Sequence, residues 1–343
     1  MNILMLSHAD TSIKYFLREH VADYLTDFDF LVSYENESFH YDICLFSENS
    51  ASLQELKNNN VANKYIVLDP KMNSREHMFN ISHSDGAIVS SLEQAERAYK
   101  YQRNILVQPW FRFIDFNNRK LFVPKKSNPV INIVYHGNKV HLEAMKDTLA
   151  PALTELSTER NIVFTAIYNI KKLGMWKRNL PKGVRINHLQ WNPDTYLEQI
   201  ASADIGVIPN FLPTGSRNFN YLVHKVQSKF ILGQRLNIDR KDYLHRYKFT
   251  SNSGRLYEYA LLKKPVVAEP TLSISQDIEH DKSGFLVLTK EGWHNSLLKL
   301  IDNAVLRKKV GVSLNLNFFH KHNKEDYLRT IKLFLETILK NKN

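Results

Sequence analysis

The residues best suited to chemistry lie between Ser251 and Glu258. Ser251 and Ser253 are residue types that cap helices, so this stretch predicts a loop that leads into a helix at Gly254. The unpaired N–H groups and the dipole of such a helix attract anions, and Arg255 adds a fixed positive charge. Glu258, one turn later, can accept hydrogen bonds from hydroxyl groups. Groups that donate hydrogen bonds to phosphate, beside a carboxylate that accepts them from hydroxyls, predict a nucleotide-sugar site.

The elements that follow would hold this stretch in place. Leu256 and Ala260 give the predicted helix an apolar face. Pro265 would end the helix, and Val266–Ala268 fits a buried parallel strand. The sequence therefore predicts a loop, a short helix, a turn and a strand in immediate succession.

Short apolar runs alternate with helical stretches along the whole chain, which predicts βαβ units and parallel sheets. The first series of predicted strands is Ile3–Leu6, Phe30–Val32, Ile43–Phe46, Tyr65–Leu68, Gly86–Val89 and Ile105–Gln108. The second series is Ile131–Tyr135, Ile162–Ile167, Val184–Leu189, Ile205–Pro209, Pro265–Ala268 and Gly284–Leu288. The predicted helices are Ser12–Tyr24, Leu92–Tyr99, His141–Leu156, Pro193–Ser202, Trp293–Asn303 and Lys324–Leu339.

A polar, basic stretch with two prolines, Phe116–Pro129, separates the two series. At 343 residues the chain is long enough for two domains. We therefore predict a first domain over 1–117, a linker over 118–129, a second domain over 130–323 with an insertion at about 211–249, and a C-terminal helix over 324–343 that can cross back to the first domain. An insertion after a strand's carboxyl end would lie over the ligand crevice of an open α/β sheet.

Charge is distributed unevenly along the chain. Residues 1–115 hold 10 basic and 16 acidic residues, whereas residues 116–343 hold 36 and 19. A positive second half predicts an anionic partner there, and nucleotides, phospholipid headgroups and nucleic acid all fit. The segment Asn169–Arg185 has six cations and no acids beside Leu173, Met175 and Trp176. That mixture fits either an anionic lipid surface or a solvated basic loop.

Cys44 is the only cysteine, and its apolar neighbours predict a buried, inert thiol. One cysteine excludes a disulfide framework and a cysteine metal site, which fits a reducing compartment. The N-terminus lacks a signal-peptide pattern, and no apolar run reaches the roughly 20 residues of a membrane span. We expect a cytoplasmic protein, at most peripheral on the inner face of the membrane.

Motifs of several enzyme classes are missing from the sequence. The loop after the first strand, His8–Ser12, contains no glycine, and no G-x-G-x-x-G appears, which argues against a nicotinamide-dependent Rossmann enzyme. There is also no Walker A lysine motif, no G-x-S-x-G and no H-E-x-x-H.

Three further sites are candidates for the nucleotide. Gly137 and Asn138, with Lys139, follow the first strand of the second series, where glycine would let the backbone approach a phosphate; an ordinary β–α turn explains them equally well. Arg217 lies in a Gly/Ser context from which it could form a bidentate phosphate contact, or it is an insertion-loop cation without a role. Trp191 could flank a base, although a packing role is the better interpretation.

The run Ser253–Ala260, followed by Lys264–Ala268 and Asp281–Val287, resembles the donor-binding segment of GT-B glycosyltransferases, most closely family 4. Ala203–Pro209 is similar to the strand that precedes this segment in the family, and Ser84–Ser91 to a strand late in its first domain. The resemblance implies an α/β protein of GT-B architecture, with two Rossmann-like parallel-sheet domains that face a cleft.

The same resemblance implies roles for individual residues. Glu258 would bind the donor ribose, and Ser253, Gly254 and Arg255 would face the diphosphate. The family often has two glutamates eight positions apart, and Thr250 stands where the first would be. This departure leaves the donor sugar and the stereochemical outcome open.

The family places acceptor contacts at the carboxyl end of the first strand, where His8 and Asp10 lie. We take both as catalytic candidates, and Asp10 is the best carboxylate for a general base if the enzyme is inverting. His77 and His83 are additional polar candidates. The one D-x-D pair, Asp27–Asp29, is far in sequence from the donor segment, and we expect no metal or other cofactor; the helix N-terminus and basic side chains would neutralise the departing diphosphate.

The sequence thus predicts a glycosyltransferase that moves a sugar from a nucleotide-diphosphate donor to a glycan or lipid-linked glycan, as in polysaccharide biosynthesis. By the family-4 resemblance it would be retaining and metal-independent. One alternative is a catalytically inactive GT-B scaffold that serves as a partner protein. Another is a nucleic-acid-binding protein that uses the basic second half, although no aromatic stacking platform supports it, so we expect no nucleic acid partner.

Overall fold

The computed structural model describes residues 1–6, 21–28, 30–34, 40–47, 50–72, 74–109, 111, 130–210 and 253–341. Strands in this part of the chain form two six-stranded sheets in which every neighbouring pair is parallel. Each of the twelve predicted strands is present, within a few residues of its predicted bounds. The α/β class with two parallel sheets is confirmed.

The first sheet has the strand order β2-β1-β3-β4-β5-β6. Its strands are β1 Asn2–Leu6, β2 Leu31–Ser33, β3 Tyr41–Ser47, β4 Ala62–Leu68, β5 Gly86–Val89 and β6 Ile105–Val107. β5 is buried along its whole length, as expected of a parallel strand covered on both faces. Cys44 in β3 is fully buried, and burial raises the pKa of its thiol to about 12, which confirms the predicted inert cysteine.

The second sheet has the order β12-β11-β10-β7-β8-β9. Its strands are β7 Ile131–His136, β8 Ile162–Tyr168, β9 Arg185–Gln190, β10 Ile205–Ile208, β11 Val266–Ala268 and β12 Phe285–Leu286. Because the strands are parallel, their carboxyl ends meet at one edge, and the loops after β7, β9, β10 and β11 leave from that edge. This is the edge at which open α/β sheets bind ligands.

Helices connect the strands. In chain order the described ones are α1 Ala22–Thr26, α2 Leu53–Asn58, α3 Arg75–His83, α4 Leu92–Ala98, α5 Lys139–Ala144, α6 Leu149–Glu159, α7 Ile170–Leu173, α8 Tyr196–Ala201, α9 Gly254–Leu261, α10 Leu272–Ser275, α11 Lys290–Asp302, α12 Ala304–Lys321 and α13 Lys324–Lys340. Predicted helix Ser12–Tyr24 lies mostly outside the described residues. No described helix has both the length and the apolar content needed to span a bilayer.

The single helix predicted over His141–Leu156 is wrong, because the structure breaks it into α5, a 3₁₀ turn at Met145–Asp147 and α6. Pro151 explains the break. In a continuous helix its ring would clash with the carbonyl four residues earlier, whereas near the start of α6 no such carbonyl is in the way.

The chain divides into two compact units. The first unit comprises residues 1–120, 249–257 and 317–343, and the second comprises 121–248 and 258–316. Within the first unit, α13 packs against the sheet: a Cβ at Gly86 would come within 3.1 Å of both Phe334 and Ile338. Gln108 also donates a hydrogen bond of 3.2 Å to the carbonyl of Tyr327. The predicted linker 118–129 and insertion 211–249 lie outside the described residues, so the domain boundaries stay a prediction.

Candidate functional site

Helix α9 carries the residues singled out by the sequence. It begins at Gly254, directly after the buried Ser253, whose carbonyl accepts a 3.0 Å hydrogen bond from the Tyr257 N–H. Leu256 and Ala260 are fully buried, as predicted, whereas Gly254 and Arg255 are partly exposed. The first turn contains no acidic residue that would offset the positive end of the helix dipole.

The C-terminus of α9 is closed by a Schellman turn. Lys264 N–H donates to the Tyr259 carbonyl at 2.9 Å and Lys263 N–H to the Ala260 carbonyl at 3.1 Å, with Lys263 in the left-handed region at φ 52°. The Lys264 ammonium donates to the carbonyls of Ala201 and Ala203 at 2.5 and 2.7 Å. Lys264 therefore joins the end of α9 to the end of α8.

Tyr259 fixes α9 onto the second sheet. Its hydroxyl donates a 2.9 Å hydrogen bond to the carbonyl of Val134 in β7, and its ring covers Gly206 in β10. A Cβ at Gly206 would lie 2.6 Å from that ring, so only glycine fits. The residue before Tyr259, Glu258, is consequently held at a defined place beside the end of β7.

Glu258 makes two side-chain contacts with other elements of the second unit. Its Oε1 accepts a 3.0 Å hydrogen bond from the Tyr196 hydroxyl in α8. Its Oε2 lies 3.2 Å from Nε2 of His136, the last residue of β7. The His136 side chain is 5% exposed and that of Glu258 is 19% exposed, so the carboxylate lies at the boundary between core and solvent.

The loop after β7 brings the second set of predicted residues next to this carboxylate. Gly137 has φ 135° and donates a 3.0 Å hydrogen bond to Ile167, a conformation that favours glycine. The Asn138 side chain caps α5 by accepting from the Val140 N–H. The Lys139 ammonium contacts the Leu173 carbonyl and lies 3.8 Å from Glu143. Lys139 therefore has partners within the protein, and its predicted phosphate contact stays a prediction.

Trp191, which follows β9, is not a packing residue of the core. Its side chain is 38% exposed, and its ring centroid lies 5.8 Å from that of Tyr196. Because Trp191 is exposed and lies next to Tyr196, this edge has an aromatic surface. The sequence interpretation had ranked a base-flanking role of Trp191 below a packing role.

A buried carboxylate at the same edge was missed by sequence reasoning. Glu269 follows β11 and is 1% exposed. Its Oε2 accepts a 2.6 Å hydrogen bond from the Asn210 N–H, and its Oε1 accepts a 3.1 Å bond from the Thr148 hydroxyl. Glu269 thus joins the loop after β10 to the start of α6.

Several predicted site residues lie outside the described part of the chain: His8, Asp10, Arg217, Ser251 and Thr250. The two additional histidine candidates are both on α3 of the first unit. The His77 N–H is capped by Ser74, and His83 is exposed and stacks on Phe79 at 4.1 Å.

Sequence reasoning also missed the residues that contact Glu258 and Glu269, although the sequence pattern points to some of them. His136 and Asn210 are polar residues directly after or at the end of apolar strands, which is where a parallel sheet presents ligand-binding side chains. Tyr196 has no such signal, because it is the first residue of a short, ordinary helix.

No protein-family profile and no curated protein sequence matches the chain. Similar solved structures are glycosyltransferases. HepE of Anabaena in complex with UDP-glucose has a TM-score of 0.61 at 13% identity, over 98% of this chain and 100% of HepE. Sucrose-phosphate synthase of Thermosynechococcus elongatus has 0.59 at 10% identity, over 98% and 99% of the two chains.

TarM of S. aureus, in a crystal structure with Fondaparinux, alpha-GlcNAc-glycerol and UDP, has a TM-score of 0.57 at 14% identity. The match covers 85% of this chain, which spans 55% of the length of TarM. Together these likenesses show that the chain has the GT-B fold predicted from its sequence.

Proposed function

We propose that the chain is a glycosyltransferase that transfers a sugar from a nucleoside-diphosphate sugar to a glycan or a lipid-linked glycan. The observation that carries this proposal is the Glu258 carboxylate, which Tyr196 and His136 contact at the carboxyl edge of the second sheet. It lies on a helix whose partly exposed start is Gly254–Arg255. The GT-B fold adds support, because HepE and TarM with this fold were crystallised with UDP-glucose or UDP.

In this proposal the donor lies along the start of α9. Ribose hydroxyls donate to Glu258, and the diphosphate faces the N–H groups near Gly254 and the Arg255 guanidinium. Charge on the departing diphosphate is balanced by the helix dipole and Arg255, so the reaction needs no metal ion. Retention of configuration follows from the family-4 resemblance, which is itself part of the proposal.

The predicted acceptor-side residues His8 and Asp10, which follow β1 in the sequence, stay part of this proposal. The similar structure of TarM contains a glycosylated glycerol, and that of HepE contains a sugar nucleotide. These ligands support a glycan or lipid-linked glycan acceptor, as in polysaccharide synthesis. A location in the cytoplasm would give the protein access to a cytosolic supply of sugar nucleotides.

The donor site is tested by nucleotide binding. A thermal-shift screen against UDP, GDP, CMP, TDP and ADP should raise the melting temperature of the wild-type chain with at least one of them, because a ligand stabilises the state it binds. Glu258→Ala and Arg255→Ala should each weaken that binding about tenfold or more, since each removes a hydrogen-bonding partner of a charged or hydroxyl group.

Glu279→Ala and Arg329→Ala are matched controls, because both side chains are exposed and form surface ion pairs only. They should bind the nucleotide as the wild type does. If none of the five nucleotides changes the melting temperature, the donor-site proposal is wrong. It is also wrong if both site variants bind the nucleotide as tightly as the wild type.

Two other functions remain as alternatives. An inactive GT-B scaffold is suggested by Thr250, which stands where the family has its first glutamate. It predicts nucleotide binding without sugar transfer across a donor panel. A nucleic-acid-binding role predicts that the affinity for nucleic acid falls steeply as the salt concentration rises, and that other charged polymers compete with the nucleic acid.

The basic segment 169–185 supports an anionic membrane surface as a further partner. Its six cations are all exposed: Lys171, Lys172, Lys177, Arg178, Lys182 and Arg185. Met175 is 50% exposed beside them, and a groove of about 500 Å³ runs past Leu180 and Lys182. Trp176, which the sequence placed among the lipid-facing residues, is instead buried against Phe164 and His188.

This membrane contact is tested with vesicles. Lys177→Glu with Arg178→Glu should weaken binding to vesicles of phosphatidylglycerol and phosphatidylcholine about tenfold, since each basic residue at an anionic surface contributes about 1 kcal/mol. Lys308→Glu with Lys309→Glu, an equal charge change on exposed residues of α12, is the control. Equal losses in both double variants would show a diffuse charge effect rather than this surface.

A further inference from the structure

We propose that His136 and Tyr196 are positioning residues that orient the Glu258 carboxylate for the nucleotide. The inference rests on the proposed donor site and adds two residues to it. Both side chains reach Glu258 from elements far away in sequence: β7 carries His136, and α8 carries Tyr196.

The first step of the argument is orientation. A glutamate side chain has three rotatable bonds, and fixing a mobile side chain when a ligand binds reduces the affinity. Here the Tyr196 hydroxyl donates to Oε1 at 3.0 Å while His136 Nε2 lies 3.2 Å from Oε2. One partner on each oxygen fixes the plane of the carboxylate before a ligand arrives.

The second step is the rigidity of the two partners. His136 ends a central strand in register with Ile167 of β8, and its ring stands edge-on to Tyr259 at 5.0 Å. Tyr196 is 3% exposed and lies next to the exposed Trp191. The partners of Glu258 are therefore parts of the core, and they hold a carboxylate that is itself partly open to solvent.

The test is a set of double-mutant cycles read by calorimetry with UDP, GDP and ADP. Tyr196→Phe, which keeps the ring, should weaken nucleotide binding about fivefold, as expected for a lost hydrogen bond to a charged group, and His136→Leu should also weaken it, because Oε2 then loses the ring nitrogen beside it. In a Glu258→Ala background each change should alter binding less than about twofold, because the group that both residues orient is gone. Equal losses in the two backgrounds would overturn the proposal, since the residues would then act through the fold.

A conservative variant separates positioning from packing. His136→Gln, whose amide can still donate to Glu258, should bind the nucleotide more tightly than His136→Leu. Equal affinities of the two variants would remove the orienting role of His136.

Failure of this inference is distinct from failure of the donor site. If the wild-type chain binds none of the three nucleotides, the donor-site proposal falls and this inference falls with it. If it binds one and the cycles are additive, the donor site stands and only His136 and Tyr196 lose their role. Melting temperatures of Tyr196→Phe and His136→Gln within a few degrees of wild type show that the variants are folded.

Discussion

Replacing Gly311 with alanine should destabilise the second unit by about 3 kcal/mol or more, the upper end of the cost of overpacking. Alanine normally stabilises a helix relative to glycine, by about 1 kcal/mol. In α12, however, a Cβ at Gly311 would lie 2.0 Å from the carbonyl oxygen of Lys263 and 2.7 Å from its carbonyl carbon. Backbone cannot move aside as a side chain can, so the sign of the usual effect is reversed.

The measurement is a urea unfolding curve for each variant. Gly292→Ala in α11 is the matched control, because its Cβ would meet only side chains, that of Val287 at 3.2 Å and that of Thr289 at 3.5 Å. The control should shift the unfolding midpoint far less. A Gly311→Ala protein as stable as the wild type would mean that α12 does not lie against the turn after α9.

Replacing Glu269 with alanine should also have a large effect, a loss of roughly 3 kcal/mol of unfolding free energy. The substitution leaves the Asn210 N–H and the Thr148 hydroxyl without their acceptor in a buried place, and hydrogen bonds to charged groups contribute about 1.5–3 kcal/mol each. Calorimetric or denaturant unfolding measures the loss.

Two further variants sharpen this prediction. Glu269→Gln keeps the shape and one acceptor oxygen, so it should lie between alanine and wild type. Glu279→Ala removes an exposed carboxylate and should change stability by less than about 1 kcal/mol. If Glu269→Ala and Glu279→Ala have the same free energy of unfolding, the buried carboxylate makes no net contribution to stability.

The sheets could be predicted from the sequence because the signal for a parallel strand is local. Runs such as Gly86–Val89 and Ile205–Ile208 are continuously apolar and bounded by turns, and both are buried strands. The helices were harder to predict from the sequence. α12 was not among the predicted helices: Val310, Leu314 and Phe318 are buried at a helical spacing, but Gly311 and two lysines interrupt the pattern.

The site could be predicted only where one segment carried it. Ser253, Gly254, Arg255 and Glu258 are neighbours in sequence, so composition and spacing were enough to select them. The contacts of Glu258 with His136 and of Glu269 with Thr148 join residues more than a hundred positions apart. Such pairs are created by strand order, which a single sequence does not specify.

The C-terminal helix α13 belongs to the unit that begins at residue 1, and its side chains Phe334 and Ile338 cover Gly86 in the first sheet. During synthesis on the ribosome, that sheet emerges long before the helix that covers it. The first sheet therefore has uncovered apolar surface around Gly86 until α13 has been translated, and exposed apolar surface of this kind promotes aggregation.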